Sequence, residues 1–201
     1  AIALRLHRKP NQQVQLEAIT ALNAELRGHV VICGYGRVGQ SIGRFLRREQ
    51  QAFIALDDNP ERVQEAATED SSVHYGDCRR GALLSAVGLE RARLVVIAVD
   101  NSDVALTVLK EARRINHKVP ILVRTRDDSQ LTELKAAGAS EVVPELLESS
   151  LMLASHAMIM LGLPDQQVRD RVDEVRRNRY RLLHGFYPHT DDTREAPINP
   201  D

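Results

Sequence analysis

The chain has 201 residues, 43% of them hydrophobic, and a formal net charge of −1. This length and composition favour one packed domain with flanking segments and exclude disorder throughout the chain. The balanced charge and the 3% aromatic content exclude the basic, base-stacking surface of a nucleic-acid-binding protein. The two cysteines, Cys33 and Cys78, form no CxxC pattern and predict neither a disulfide framework nor a zinc site.

Residues 1–28 contain a short helical pattern, VQLEAITALNAEL, and are predicted to form a linker helix leading into a domain. These residues do not have the pattern of a signal peptide. The longest apolar stretch of the chain, at 151–163, is shorter than the run of about 18 residues that a membrane-spanning helix needs. It therefore predicts a buried or interface helix.

Residues 30–144 alternate between two hydrophobic periods, and the predicted core domain spans residues 29–150. Short β-branched runs occur at HVVIC, FIALD, VHY, LVVIAV, ILVRT and EVVP. The segments between them predict helices at 37–49, 60–68, 80–87, 102–116 and 128–137. Apolar strands separated by helices are typical of a parallel sheet covered on both faces. The prediction is a Rossmann-like, doubly wound α/β fold with about six strands.

The segments after this domain predict a C-terminal helical extension. Residues 151–187 combine the apolar stretch with a charged segment that keeps a helical stripe of valines, and we expect them to serve dimerisation. Residues 188–201 show no periodic pattern and are predicted to be a disordered tail.

A glycine-rich turn follows the first predicted strand. Gly34, Gly36 and Gly39 have the G-x-G-x-x-G spacing, which permits a tight turn, close approach of a phosphate and close helix–strand packing. The helix that begins here presents free N–H groups to an anion. Asp57 ends the second strand, where a carboxylate accepts hydrogen bonds from ribose hydroxyls and repels a 2′-phosphate. These residues favour a nucleotide site over a purely structural turn.

Several polar residues near this turn have two interpretations each. Arg37 is either a phosphate clamp or a solvated residue at a helix start. Asp58 and Asn59 either contact ribose or cap the next helix. Asp77 either accepts the adenine amino proton or caps the following helix, and a redox role for Cys78 is a minor alternative.

The sequence does not favour an enzyme. A dehydrogenase needs further structure to bring a substrate and an acid–base residue to the nicotinamide. The residues after the sixth strand predict only helix and a tail, and the seven histidines show no arrangement typical of a base or a metal site. We therefore predict a sensor.

Four segments together resemble a known family, the RCK/KTN (TrkA-N) regulatory domain of potassium channels and transporters. The segments are HVVICGYGRVGQSIGRFL, IALDDNPERV, YGDCRRGALLSAVGLERARLVVIAVDN and GASEVVPELLESSLMLASHAMIMLGLP. The likeness is greatest to the cytosolic C-terminal domain of Kef-type monovalent cation:proton antiporters.

The resemblance implies an adenine nucleotide, AMP or NAD(H), as a regulatory ligand of this domain. By position, the glycine turn would hold phosphate, Asp57 ribose, Asp77 and Cys78 adenine, while Val99 and Asp100 would form the far wall. The full set of nucleotide-binding residues is then Gly34, Tyr35, Gly36, Arg37, Val38, Gly39, Asp57, Asp58, Asn59, Asp77, Cys78, Val99 and Asp100. The family usually has Ala-Thr where this chain has Cys78-Arg79, which leaves the ligand's pose open.

The resemblance also implies partners and a location. It implies a homodimer, a transmembrane antiporter domain in the same polypeptide before residues 1–28, and a place at the cytoplasmic face of the membrane. An ancillary subunit or a glutathione-type ligand is a further expectation, with Arg44, Arg124 and Arg126 as cations that would attract such an anion. The alternatives are a separate Trk-type NAD-binding subunit of a potassium uptake system and a small NAD-dependent oxidoreductase.

Overall fold

A computed structural model describes residues 12–68, 72–178 and 180. The strands are Val30–Cys33 (β1), Phe53–Asp57 (β2), Val73–Tyr75 (β3), Leu94–Ile97 (β4), Ile121–Thr125 (β5) and Glu141–Pro144 (β6). The helices are Gln12–Leu22 (α1), Arg37–Arg48 (α2), Pro60–Ala67 (α3), Gly81–Ala86 (α4), Ser102–Ile115 (α5), Leu131–Ala136 (α6), Glu145–Met160 (α7) and Asp165–Arg177 (α8). A 3-10 turn at Leu89–Arg91 precedes β4.

The strands form one parallel sheet in the order β3-β2-β1-β4-β5-β6. Val30 of β1 lies opposite Phe53 of β2 on one side and Leu94 of β4 on the other. This order is that of a doubly wound sheet, so the predicted Rossmann-like fold of six strands is confirmed.

Alternate residues of the central strands supply two separate hydrophobic layers, because successive side chains point to opposite faces of a sheet. Val31 and Cys33 belong to the layer that includes residues of α4 and α5. Val30 and Ile32 belong to the layer that includes residues of α2 and α3. Every residue of β1 and β2 is buried, as expected of strands with helices on both faces.

Helix ends follow the polar and glycine signals in the sequence. The Asn59 side chain caps α3 by accepting from the Glu61 and Arg62 amides at 2.9 and 3.0 Å, and Pro60 follows it at the first helical position. Gly138 ends α6 with a φ of +104°, which an L side chain adopts only with strain.

The segment predicted as a linker contains α1, which packs against α4 through buried Ile19. Arg91 fixes the end of this segment, since its guanidinium donates to the carbonyls of Leu26 and Asn23, both at 3.2 Å. Residues 1–11 lie outside the described residues. The described part of the linker is therefore attached to the domain, and the prediction that a membrane domain precedes it stays a prediction.

The chain divides into two compact units. Of the described residues, 12–68, 72–126 and 130–143 belong to the first unit, and 127–129, 144–178 and 180 belong to the second. The division falls earlier in the chain than the predicted domain boundary at 150.

In the second unit α7 packs against α8. Arg176 donates to Glu148 at 3.1 and 2.7 Å. This hydrogen bonding is the main cause of the lowered pKa of the Glu148 carboxyl group. Residues 181–187 of the predicted extension and the predicted tail at 188–201 lie outside the described residues. None of the helices within the described ranges combines the length and apolarity of a membrane span.

Candidate functional site

The candidate site lies at the carboxyl edge of the sheet, between β1 and β4. These neighbouring strands are followed by helices that pack on opposite faces, since α2 contributes to one hydrophobic layer and α5 to the other. A crevice forms where the connections diverge in this way, and ligands of open α/β sheets bind there. All thirteen predicted site residues lie at the end of β2, in the loops after β1, β2, β3 and β4, or in the first turn of α2.

The glycine turn after β1 has two positions that the protein itself requires to be glycine. Gly34 has a φ of +94°, and a Cβ there would lie 3.0 Å from both the amide nitrogen and Cγ1 of Val99. A Cβ at Gly39 would lie 2.1 Å from the carbonyl oxygen of Gly34. These two glycines let the chain turn tightly and let α2 approach β1.

Gly36 differs from both of its neighbours in the motif. It is the N-cap of α2, with a φ of −69° that any residue adopts. A Cβ added at Gly36 would have Arg62 Nη1, at 3.9 Å, as its nearest neighbour. The following residues, Arg37 and Val38, begin α2, whose first N–H groups have no intrahelical acceptor. The space beside Gly36 is therefore bounded by amide donors and one guanidinium, which suits an anion.

Asp57 ends β2 beside this turn, and its side chain is only 2% exposed. One carboxylate oxygen accepts from the Tyr35 amide at 2.6 Å, and the other accepts from the Asn59 amide at 2.8 Å. Arg62 Nη1 contacts the two oxygens at 3.3 and 3.2 Å. In this structure Asp57 thus ties the glycine turn to the start of α3.

The residues after Asp57 separate into two roles. Asn59 caps α3 with its side-chain oxygen, as described above, so of its two interpretations the capping role is confirmed. Asp58 is exposed and its negative charge raises the pKa of Arg79 as a minor effect after the pairing of Arg79 with Asp77. Asp58 is not the cap of α3, and contact with ribose stays a prediction for it.

The loop after β3 places Asp77 at the same edge. Its carboxylate accepts from the Arg79 amide at 2.9 Å and pairs with the Arg79 guanidinium at 2.8 Å, which lowers the pKa of Asp77. The N-cap of α4 is Arg80, which has no side-chain capping bond, so the interpretation of Asp77 as the cap of α4 is wrong. The backbone extends past Asp77 before the helix begins, and the carboxylate caps the turn instead.

Cys78 belongs to the hydrophobic core at the base of this loop. A hydrogen bond with Cys33 and burial raise the pKa of the Cys78 thiol well above its usual value. A thiol that stays protonated is a poor nucleophile. The environment therefore does not favour the redox role.

The loop after β4 supplies the opposite side of the crevice. Val99 is the residue that contacts Gly34, and Asp100 is 91% exposed. Arg124 of β5 donates to Asp100 and lowers its pKa, and Arg62 and Arg37 add smaller effects of the same sign. Three arginines thus surround the edge where the glycine turn and the β4 loop meet.

Two of these arginines are additions to the site predicted from the sequence. Arg62 lies in the first turn of α3 and was not a candidate. Its position three residues after the Asn59 cap is the sequence signal that it points back towards the strand end. Arg124 was a candidate only for a glutathione-type anion. Its register on β5, next to β4, decides that it reaches Asp100.

Within residues 12–68, 72–178 and 180 there is no cluster of three or more His, Cys, Asp or Glu side chains that would hold a metal ion.

The arrangement defines a Rossmann-like α/β domain with an anion-compatible glycine turn at its switch point. The profile of the TrkA-N domain matches residues 30–145, and the chain belongs to this family. The predicted resemblance to the RCK/KTN (TrkA-N) domain of Kef-type antiporters is confirmed.

The similar proteins with curated names include potassium efflux antiporters. The chain is 46% identical over 158 residues to the putative K(+) efflux antiporter KefB of Alkalimonas amylolytica, a match that covers 79% of this chain and 24% of that protein. It is 31% identical over 153 residues to the glutathione-regulated potassium-efflux system protein KefC of Klebsiella pneumoniae strain 342, covering 76% and 25% respectively. The chain therefore spans about a quarter of the length of these relatives.

Solved structures give the same assignment. The Kef C-terminal domain of Shewanella denitrificans in its AMP-bound form superposes with a TM-score of 0.66 at 30% identity, covering 79% of this chain and 96% of that one. The GsuK channel bound to NAD shares the fold, with a TM-score of 0.58 at 22% identity over 63% of this chain and 23% of that one. The printed names of these relatives are those of potassium efflux proteins, a Kef domain and a channel.

Proposed function

We propose that this chain is the cytosolic nucleotide-sensing domain of a potassium (monovalent cation):proton antiporter and binds AMP or NAD(H) to gate transport. The observation that carries the proposal is the open side of Gly36. Gly34 and Gly39 are required by contacts within the protein, whereas a Cβ at Gly36 would have the end of Arg62, at 3.9 Å, as its nearest neighbour. A glycine that the fold does not need, at the start of a helix, is explained by a phosphate that lies against it.

The other predicted residues take their proposed roles from their places around Gly36. Arg37, Val38 and the α2 amides would hold phosphate, and Asp57 would hold the ribose hydroxyls. Asp77 and Cys78 follow β3 on the adenine side, while Val99 and Asp100 bound the far side. The AMP-bound form of the similar Kef domain supports an adenine nucleotide as the ligand.

We assign the regulatory effect to a difference in affinity. A ligand shifts an equilibrium between two arrangements only if it binds one of them more tightly. The proposed assembly is a homodimer attached to a transmembrane antiporter domain of the same polypeptide, at the cytoplasmic face of the membrane. An ancillary subunit or a glutathione-type ligand stays a prediction.

We infer that α7 forms the dimer contact. Its exposed apolar side chains include Met152, Leu153, Ile159 and Met160. An exposed apolar surface of this kind on one helix favours burial against a second copy.

The function is tested by calorimetry of the purified domain with AMP, NADH and NADPH. We expect AMP or NADH to bind and NADPH to be rejected, because a 2′-phosphate would lie against the buried Asp57 carboxylate. Asp57→Ala should cost roughly 1.5–3 kcal/mol of binding free energy, the size of a hydrogen bond to a charged group. Asp170→Ala, which removes an exposed carboxylate of α8, is the matched control and should leave affinity unchanged.

The same samples distinguish a sensor from an enzyme. After incubation with candidate acceptors, NADH should be consumed no faster than in the control without protein. The recovered NADH should be chemically unchanged. Equal binding of NADPH would contradict the role of Asp57, and turnover above the control would contradict the sensor.

A further inference from the structure

The hydrogen bonds of Asp57 leave no room for a ribose unless one of the present donors leaves. The amides of Tyr35 and Asn59 donate at 2.6 and 2.8 Å, and both belong to backbone fixed by the glycine turn and by the α3 cap. Arg62 Nη1 donates to the two oxygens at 3.3 and 3.2 Å, longer than the usual 2.7–2.9 Å of a charged pair. Arg62 is therefore the donor that a ribose hydroxyl can replace.

Arg62 is free to move because its side chain is 46% exposed, against 2% for Asp57. It begins at α3, a different element from the glycine turn, and reaches across to it. Its Nη1 atom is also the nearest atom to the open side of Gly36, 3.9 Å from the position of a Cβ there. The guanidinium thus lies between the proposed places of the ribose and the phosphate.

We propose that Arg62 is an exchangeable clamp: it holds Asp57 in this structure and transfers to the nucleotide's phosphate when the ribose takes its place on Asp57. This inference rests on the proposed function, and it specifies that the site selects a ligand with a phosphate next to the ribose. Asp57 exchanges a long ion pair for hydroxyl donors, and Arg62 exchanges a carboxylate for a phosphate that its planar fork contacts with two donors. The buried Asp57 carboxylate is not left without a partner, which would be costly.

The clamp makes a phosphate next to the ribose a condition for tight binding. Adenosine brings the hydroxyls that displace Arg62 but no phosphate to receive it, so the lost ion pair is not replaced. AMP brings both groups. Arg62 should therefore contribute to the affinity for AMP and not to the affinity for adenosine.

The experiment measures the affinities of AMP and adenosine by calorimetry for wild type, Arg62→Ala, Arg62→Lys and Arg48→Ala. Arg48 is an exposed arginine in the last turn of α2, away from the carboxyl edge, and is the matched control. We expect Arg62→Ala to weaken AMP about tenfold or more while adenosine binds unchanged or more tightly, as for loss of a charge-assisted contact. Arg62→Lys should restore part of the preference for AMP, and Arg48→Ala should keep all of it.

Several outcomes would overturn the clamp. Equal losses for AMP and adenosine would mean that Arg62 only supports Asp57, and unchanged affinities for both ligands would mean that it is a solvated side chain. A wild-type domain that binds no adenine nucleotide would overturn the proposed function together with the clamp, whereas wild-type binding with an unchanged ratio overturns the clamp alone.

Discussion

At the scale of single residues, glycine is present at the three positions of the turn for different physical reasons. Gly34 has a left-handed φ and closely approaches Val99, and Gly39 lies against the Gly34 carbonyl. Gly36 has neither constraint. Glycine is therefore required by the fold at two positions of the motif and, in our proposal, by the ligand at the third.

This difference predicts opposite phenotypes for two substitutions. Gly36→Val should abolish nucleotide binding with little loss of stability, because its side chain enters the proposed phosphate space and the nearest atom to its Cβ is Arg62 Nη1 at 3.9 Å. Gly39→Val should destabilise the fold by several kcal/mol, because a Cβ 2.1 Å from backbone forces α2 away from β1. Calorimetry and thermal unfolding of both variants check this pair. A Gly36→Val protein that still binds AMP would contradict the assignment of the phosphate site.

At the scale of elements, the helix and strand bounds agree closely with those predicted from hydrophobic period. The second predicted helix, at 60–68, is observed as Pro60–Ala67, because the Asn59 cap and Pro60 fix its start. The period did not predict that α1 packs on the domain. That contact depends on Ile19, and the segment after α1 is held by Arg91, which is far from it in sequence.

The proposed dimer helix gives the prediction at this scale. Leu153 on α7 is 72% exposed, and Leu153→Glu should shift the domain from dimer to monomer because the carboxylate would be desolvated in an apolar contact. Phe45 on α2 is comparably exposed at 68%, so Phe45→Glu is the matched control and should remain dimeric. Light scattering at micromolar concentration measures both. Dissociation by Phe45→Glu alone would move the interface to α2.

At the scale of the whole molecule, His29 links the start of β1 to the loop that leads into β4. It is fully buried, and its Nε2 lies 2.8 Å from the Val87 carbonyl oxygen, which it donates to. Among the described residues Nδ1 has no hydrogen-bond partner. Burial lowers the pKa of His29, and the positive charge of Arg91 adds to this effect.

The lowered pKa predicts a loss of stability in mild acid. Below the ordinary histidine pKa of about 6.5 the unfolded chain binds a proton that folded His29 resists, so the free energy of unfolding falls as pH decreases towards 5. His29→Gln should make this slope shallower, whatever its effect on stability at pH 8. His117→Gln, at an exposed position, should leave the slope as in wild type. Urea unfolding between pH 8 and 5 measures all three, and parallel slopes would remove His29 as the cause.

The sequence by itself determined the parallel sheet, the glycine turn and the placement of Asp57 at a strand end. These features depend on local period and on the spacing of a few residues along the chain, and hydrophobic burial enforces that pattern. Only the tertiary structure decided that Gly36 is open, that Arg62 covers Asp57 and that Asp77 holds Arg79 instead of capping α4. Those facts depend on distances of a few ångströms between separate loops, which are set when parallel strands bring their carboxyl ends to one edge.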